Sequence, residues 1–467
     1  MPYPACVHFH RMYRSPLLLV LPIALVAVAA VAQEPPPEPA IPDSLAAAGD
    51  LERQTLDRLL DSDSWTRKAV ASMRLDRYRC AESRAILDTL TTDEAWQVRA
   101  FAIRALGRRG ETLPEDAFAD EYTPKVLRAA LRYGYTLEVE RVGRGVRYLA
   151  RSNDLHSKML AVELGIASGD EALAELAHET VRKIILRMGR VEAGTLSPRL
   201  SAVTGAPDVR RGYRWRKWLR KAGRRFPLHA AMAQPVSGSV TPGLMASLDP
   251  QQFADLEGYI DELGKRSVDL AICLDCTASM GSELADAQGG IDDLMVFAGD
   301  VVHTLRVGLV AYRDRRDEFE TKGWDFTTKI DVVRSRLWSL GAAGGGDTPE
   351  AVYKALKLAY GKLSWHPDNT RVLVLIGDAP PHVGYGTACI QMAGYAGRHG
   401  LVTHVIEADN REVKHFAEIA AAGGGRCVSL PDGGNDSLIV EIAGLTLGER
   451  FENPMREFFR TYLELCR

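Results

Sequence analysis

The sequence predicts an all-α region followed by an α/β region built on a Rossmann-like, doubly wound, mostly parallel sheet. Three observations carry this expectation. From Ser44 to about Gly205 small and apolar residues recur at helical spacing. From Ser267 onward apolar runs of strand length alternate with helical patterns, as in a parallel sheet covered on both faces. Two of those runs end in acidic loops, at Asp275 and Asp378, where ligands bind in open α/β sheets.

The 467-residue chain is long enough for two or three domains. A net charge of -3 gives no global attraction to nucleic acid or anionic membrane. The first stretch stands apart. Arg11 and Arg14 precede an uncharged apolar run, Pro16 to Ala32, that ends Ala30-Val31-Ala32. A positive flank, a short apolar core and a small-x-small site describe a secretory signal peptide over 1–32, cleaved after Ala32. The chain is therefore expected to be exported, to a periplasmic, cell-surface or extracellular location. The competing reading is an uncleaved N-terminal anchor, and membrane contact is expected only in that case. Residues 33–44, rich in Pro, Ala and Glu, read as an extended linker.

Residues 45–230 read as one α-helical domain. Its clearest helix is Val98–Gly107, with Asp93 as the expected N-cap and Gly107 or Gly110 as the stop. Looser echoes occur at Arg67–Met73, Lys158–Gly165 and Arg182–Gly189, each a basic residue followed three and four places later by apolar ones. This pattern resembles the second helix of HEAT-type repeats, which implies a solenoid and a second protein partner on its surface. The copies are irregularly spaced, so an unrelated helical bundle stays open. The domain ends in a basic stretch around Arg214-Trp215-Arg216-Lys217-Trp218-Leu219. Trp215, Trp218 and Leu219 share one helical face, as in an amphipathic helix that caps a domain, and a nucleic-acid partner is not expected.

Residues 231–266 read as a linker followed by a short helix from Pro250 to Gly264. Strands are expected at Val268–Leu274, Val307–Tyr312, Val372–Ile376 and Leu401–Ile406, with Cys427–Leu430 as a weaker edge. Phe319–Thr328 is expected to supply an antiparallel edge hairpin. Helical patterns run from Leu284 to Leu305, from Val352 to Ala359 and from Val413 to Ala420. The α/β region covers 267–447, and 448–467 is a C-terminal helix. Six cysteines follow the leader: Cys80, Cys273, Cys276, Cys389, Cys427 and Cys466. Cys273 and Cys276 form a C-x-x-C, but Cys273 lies within an apolar strand and no second such pair completes a zinc site. Buried thiols or an ordinary bridge are expected rather than redox or zinc chemistry.

The residues that carry chemistry lie in three loops. Asp275, Thr277 and Ser279 follow the first strand, an oxygen-only set that suits a hard cation. Gly344-Gly345-Gly346-Asp347-Thr348-Pro349-Glu350 precedes a helix, with Pro349 expected at its first position. Asp378 follows Val372–Ile376. The C-terminal ends of parallel strands share one sheet edge, so these loops can converge.

These positions resemble the von Willebrand factor type A domain and its metal-ion-dependent adhesion site. Asp275, Thr277 and Ser279 match the family's Asp-x-Ser/Thr-x-Ser loop, Thr348 its separate threonine, and Asp378 its later aspartate. The Tyr312–Asp314 and Asp378–His382 runs look most like the alpha-kinase-associated and hemicentin-type copies. The resemblance implies a Mg²⁺ or Mn²⁺ site with Thr277, Ser279 and Thr348 as hydroxyl ligands, and Asp275 and Asp378 bound directly or through water. It also implies a partner protein whose Glu or Asp completes the coordination, and a non-enzymatic, adhesive or scaffolding role. Asp347 and Glu350 are expected as helix-start residues, and His382 as a hydrogen-bonded loop residue.

Asp-x-Thr-Ala-Ser also resembles the loop of haloacid-dehalogenase-like phosphotransferases, with Asp275 as nucleophile. No second aspartate stands two places on to act as acid/base, and the glycine-rich loop would go unused. A type A domain without a metal-dependent ligand is the other alternative. The chain contains neither H-E-x-x-H nor G-x-x-x-x-G-K-[ST], so metalloprotease and P-loop readings have no support.

Overall fold

A computed structural model of the chain describes residues 44–114, 123–133, 135, 139–153, 155–209, 211–230, 243–346, 349–408, 412–430 and 437–466. The expected signal peptide and nearly all of the following linker lie outside the described residues, as do Asp347 and Thr348.

The first part is all helical. Its helices are α1 (Asp50–Leu60), α2 (Trp65–Leu75), α3 (Ala81–Leu90), α4 (Trp96–Arg108), α5 (Pro124–Arg132), α6 (Val139–Arg151), α7 (Leu155–Ala167), α8 (Glu171–Arg187), α9 (Arg190–Thr204) and α10 (Gly212–Ala222). The apolar stripe at Val98–Gly107 does form a helix, α4, and its Val98, Phe101, Ala102, Ile103, Ala105 and Leu106 are buried. Its cap differs from expectation. Ala95 is the N-cap, and Asp93 instead accepts the Ala95 N–H at 2.9 Å and pairs with Lys68 at 2.7 Å. In α10 the Trp215 side chain is fully buried and its Nε1 donates to Ser197 Oγ at 2.7 Å. The helix thus lays its apolar face on the helical part, as its pattern predicts.

A short helix α11 (Leu244–Ser247), where only linker was expected, precedes α12 (Pro250–Leu263). Asp249 caps α12 and accepts the Gln252 N–H at 2.8 Å, with Pro250 at the start of the helix. Basic residues tie these helices to the first part. The fully buried Arg74 is bidentate on Glu52 at 2.6 and 2.9 Å and donates to the Met245, Ala246 and Leu248 carbonyls. Arg67 reaches Glu257 at 2.5 Å and Asp261 at 2.9 Å.

The α/β part carries a six-stranded sheet in the order β3-β2-β1-β4-β5-β6. In chain order its elements are β1 (Ser267–Asp275), α13 (Gly281–Val301), β2 (Thr304–Tyr312), β3 (Thr321–Thr327), α14 (Ile330–Trp338), α15 (Val352–Lys362), β4 (Thr370–Gly377), α16 (Gly386–Arg398), β5 (Leu401–Glu407), α17 (Phe416–Ala422), β6 (Gly424–Ser429), α18 (Ser437–Leu447) and α19 (Glu452–Cys466). All neighbours are parallel except β2 and β3, which are antiparallel. The core strands appear where the apolar runs predicted them. Three local readings change. Leu305 belongs to β2 because α13 ends at Val301; α15 starts at Val352, not at Pro349; and α14, α16 and α18 carried no stripe clear enough to anticipate.

Side chains of β1 alternate between two cores. Leu270, Ile272 and Leu274 join the core that includes residues of α13, while Ala271 and Cys273 join that of α15, α16 and α17. The six cysteines are free thiols, and Cys273 and Cys276 fall in opposite cores, so they form no bridge. The C-terminal α19 joins the two parts of the molecule. Its Phe458 lies 4.9 Å from Phe297 of α13 and 5.7 Å from Phe101 of α4, and its Tyr462 stacks at 5.7 Å on Trp65 of α2. Among the described residues no helix is long and apolar enough to cross a membrane.

Candidate functional site

Strand β1 has β2 on one side and β4 on the other, so the chain reverses its direction of travel across the sheet between β1 and β4. Such a switch point opens a crevice at the strands' C-terminal ends. Asp275 ends β1, and Asp378 follows Gly377, the last residue of β4. The register sets Leu274 beside Ile376 and Asp275 beside Tyr312, which brings both carboxylates to one crevice.

The loop after β1 is held by its own side chains. Asp275 is fully buried, and its Oδ1 accepts both the Thr277 N–H and the Thr277 hydroxyl at 2.8 Å. This local capture turns the chain out of the strand. A single 3₁₀ turn, Ala278–Met280, then leads into α13. The Ser279 hydroxyl lies 3.3 Å from Thr277 Oγ1 on an exposed residue, so the oxygen chain runs from the sheet to solvent. Asp275 Oδ2 is buried without a hydrogen-bond donor among the described residues.

The glycine-rich loop closes over this turn. Ala278 N donates to the Gly344 carbonyl at 3.3 Å, and Gly345 N donates to Asp317 Oδ2 at 3.0 Å. Gly344 and Gly345 have φ of 80° and 69°, a region that glycine occupies without strain. A Cβ on Gly345 would stand 2.8 Å from the Thr277 Cβ, so the close approach also requires glycine. Beneath the crevice, the buried Tyr312 hydroxyl donates to the Ile376 carbonyl at 2.9 Å and packs where a Gly377 Cβ would be.

Three more acids surround the crevice: Asp314 and Asp317 after β2, and Glu350 after the glycine-rich loop. Glu350 precedes α15 rather than starting it. It is buried, its N–H donates to the Pro380 carbonyl at 3.0 Å, and its Oε2 has no donor among the described residues. Burial, reinforced by the charges of Asp378 and Asp317 and opposed by Thr277's two hydrogen bonds, pushes Asp275 up to about 7. Burial and the neighbouring acids push Glu350 up to about 8. Among the described residues no lysine or arginine pairs with Asp275, Asp317, Glu350 or Asp378. The nearby Arg313 donates to the Cys276 and Gly341 carbonyls instead. His382 Nε2 lies 3.0 Å from Asp314 Oδ1.

Of the expected site residues, Asp275, Thr277 and Ser279 form one hydrogen-bonded chain, and Asp378 lies within electrostatic reach of Asp275. Thr348 lies outside the described residues. Asp317 is an addition to the expected set, and Glu350 lies in the crevice rather than at a helix start. The signal was available: β2 runs parallel to β1, so acids just after Tyr312 reach the same edge. Among the described residues no three His, Cys, Asp or Glu side chains are placed to hold a metal alone. A cation here would therefore also draw on hydroxyls and water. The oxygen donors, the unpartnered buried Asp275 Oδ2 and the lack of a basic partner fit a hard divalent ion.

No family model matches the chain. An ariadne-like RING finger protein, R811, of Acanthamoeba polyphaga mimivirus is 34% identical over 116 residues, covering 25% of this chain. The chain spans only 11% of that protein's length. Three solved structures are similar at low overlap. BatB of Bacteroides thetaiotaomicron is 17% identical with a TM-score of 0.30, covering 42% of this chain and 99% of that one. The SpRpn10 VWA domain is 13% identical with a TM-score of 0.30, covering 38% and 94%. Proximal thread matrix protein 1 of the mussel byssus is 12% identical with a TM-score of 0.31, covering 43% and 52%.

Proposed function

We propose that the chain is an exported, non-enzymatic protein-binding module of the von Willebrand factor type A kind that holds Mg²⁺ or Mn²⁺ at the β1–β4 crevice. Asp275, Thr277 and Ser279 would hold the ion with Asp378, and Thr348 is the fifth expected ligand. When bound, the ion supplies an electrophilic centre at which a partner's Glu or Asp carboxylate can replace a water. The observation that carries this reading is the buried Asp275 carboxylate, with one oxygen fixed by Thr277 and the other without a donor among the described residues. The surrounding acids disfavour a bare carboxylate ligand, so the partner's acid would bind only with the cation present. The helical part offers a second surface for a protein partner.

Calorimetry tests the metal. The wild-type chain is expected to take up Mg²⁺ or Mn²⁺ at about millimolar concentration. Asp275→Ala should abolish that uptake while leaving the circular dichroism spectrum unchanged. No uptake by the wild type, or equal uptake by the variant, would reject the site.

A further inference from the structure

The basic helix α10 plays no part in the sheet-edge site, and it borders an open groove of about 630 Å³. Arg182 of α8 lines one side of this groove, and Arg216, Lys217 and Arg220 of α10 line the other. Arg224, just past Gly223, also lines it. Among the described residues none of these cations pairs with a carboxylate. Arg182 donates to the Gly223 carbonyl at 3.1 Å and Arg216 to the Met188 carbonyl at 3.4 Å. Arg216 and Arg220 are like charges four residues apart on one helix, a spacing at which they repel each other unless a counter-charge is present. The groove therefore gathers positive charge that no described carboxylate neutralises.

The aromatic residues decide what kind of anion fits. A bilayer would draw on Trp for insertion, and a single-stranded nucleic acid would need aromatic faces for stacking. Trp215 is fully buried and hydrogen-bonded to Ser197, and Trp218 packs edge-on against Trp215 and Phe226 at 5.6 and 5.2 Å. Neither lines the groove, whose lining holds one aromatic ring, Tyr213, too few for a stacked strand. The groove instead presents Leu219, 6% exposed at its floor, with Leu186 and Tyr213 open at 59% and 54%. Cations flanking an apolar floor match an extended chain that carries acids and an apolar side chain between them.

We propose that this groove binds an acidic peptide segment of a partner protein. Its Asp or Glu side chains lie against Arg182, Arg216 and Arg220, and an apolar side chain rests on Leu219, Leu186 and Tyr213. Binding here is independent of the sheet-edge cation.

The test uses the full chain and a fluorescein-labelled peptide of roughly twelve residues, long enough to span the groove at about 3.3 Å per residue. Its acids alternate with neutral residues and two central leucines. At low salt the wild type is expected to bind this probe, and Arg216→Glu/Arg220→Glu to weaken binding by about tenfold or more. A control peptide with Gln and Asn in place of the acids should not bind. EDTA and Asp275→Ala should leave probe affinity unchanged, which separates this surface from the metal site. If the double variant loses its circular dichroism signal, Lys217→Glu/Arg224→Glu, at exposed positions, is read in its place. The proposal fails if the folded variant binds as the wild type does, or if the wild type ignores the probe. It also fails if phosphatidylglycerol vesicles or oligothymidylate bind more tightly than the peptide and lose that binding in the same variant.

Discussion

Strand β1 carries a fully buried carboxylate near each end, and the two are treated in opposite ways. Near its start, Asp269 accepts from Arg306 Nε at 2.7 Å and Nη2 at 2.5 Å, from the His366 N–H at 2.8 Å and from Asn369 Nδ2 at 2.7 Å. At its end, Asp275 has two donors among the described residues, both from Thr277 and both on Oδ1. Burying an ionised carboxylate costs free energy unless its oxygens are paired. Asp269 meets that condition within the chain and reads as structure. Asp275 leaves Oδ2 unmatched among the described residues and sits among further acids. The proposed cation would offset that local deficit, and the contrast is the physical motive for placing it at the C-terminal edge of the sheet.

The contrast is open to direct attack, and the largest effect is expected at Asp269. Asp269→Ala strands the Arg306 guanidinium and two donors, so urea unfolding should show a loss of about 3–5 kcal/mol. Asp275→Asn removes a charge that no described lysine or arginine neutralises. In EDTA its stability should stay within about 1 kcal/mol of the wild type. Equal losses from the two substitutions would erase the distinction between a structural and a ligand-facing acid.

A smaller effect separates backbone strain from site geometry. Gly345 and Gly424 have nearly the same φ, 69° and 70°. A Cβ at Gly424 meets nothing within 4 Å, whereas one at Gly345 runs into Thr277. Both alanine variants should lose about 1–2 kcal/mol through the strained φ. Only Gly345→Ala should also lose divalent-ion uptake, because it pushes aside the residue that fixes Asp275 Oδ1. Loss of uptake in both variants, or in neither, would mean that the glycine-rich loop does not shape the crevice.

The legibility of the two parts follows the physics of each. The core strands carry mostly apolar runs, broken by Asp269 in β1 and by Thr403 and His404 in β5, because both faces of a parallel sheet are buried, and Asp275 and Asp378 stand at the ends of two of them. Glu350 was harder to read. An acid just before a helix has a local explanation in the helix dipole, and tertiary contacts, the bridge between Glu350 and Pro381 and the nearby crevice acids, are what place it at the crevice. The α19 seam was harder still. Its aromatic side chains fit any amphipathic helix, and nothing local says that Phe458 reaches both Phe101 and Phe297. The helices α14 and α16 flank a sheet, so much of their surface is set by packing rather than by a sharp stripe.

The half-buried His404 on β5 shows a third way to accommodate an ionisable group, and it gives the smallest effect. Its Nδ1 accepts the Arg426 N–H at 3.1 Å, which requires the ring nitrogen to be unprotonated. Burial, helped by the Arg426 charge, pushes the ring down to about 4 from its ordinary 6.5. Between those values the unfolded chain takes up a proton that the folded chain refuses. The contribution to stability is therefore whole above about pH 6.5, falls as the pH is lowered, and levels off below about 4. Other carboxylates titrate in the same window, so the measured quantity is the difference between wild type and His404→Gln across it. That difference should change by about 2 kcal/mol in favour of the variant as the pH falls. Parallel stability curves would show that His404 keeps its charge when folded. Asp269 is matched by donors and His404 by giving up its charge, which leaves the crevice acids as the buried groups that an external cation would satisfy.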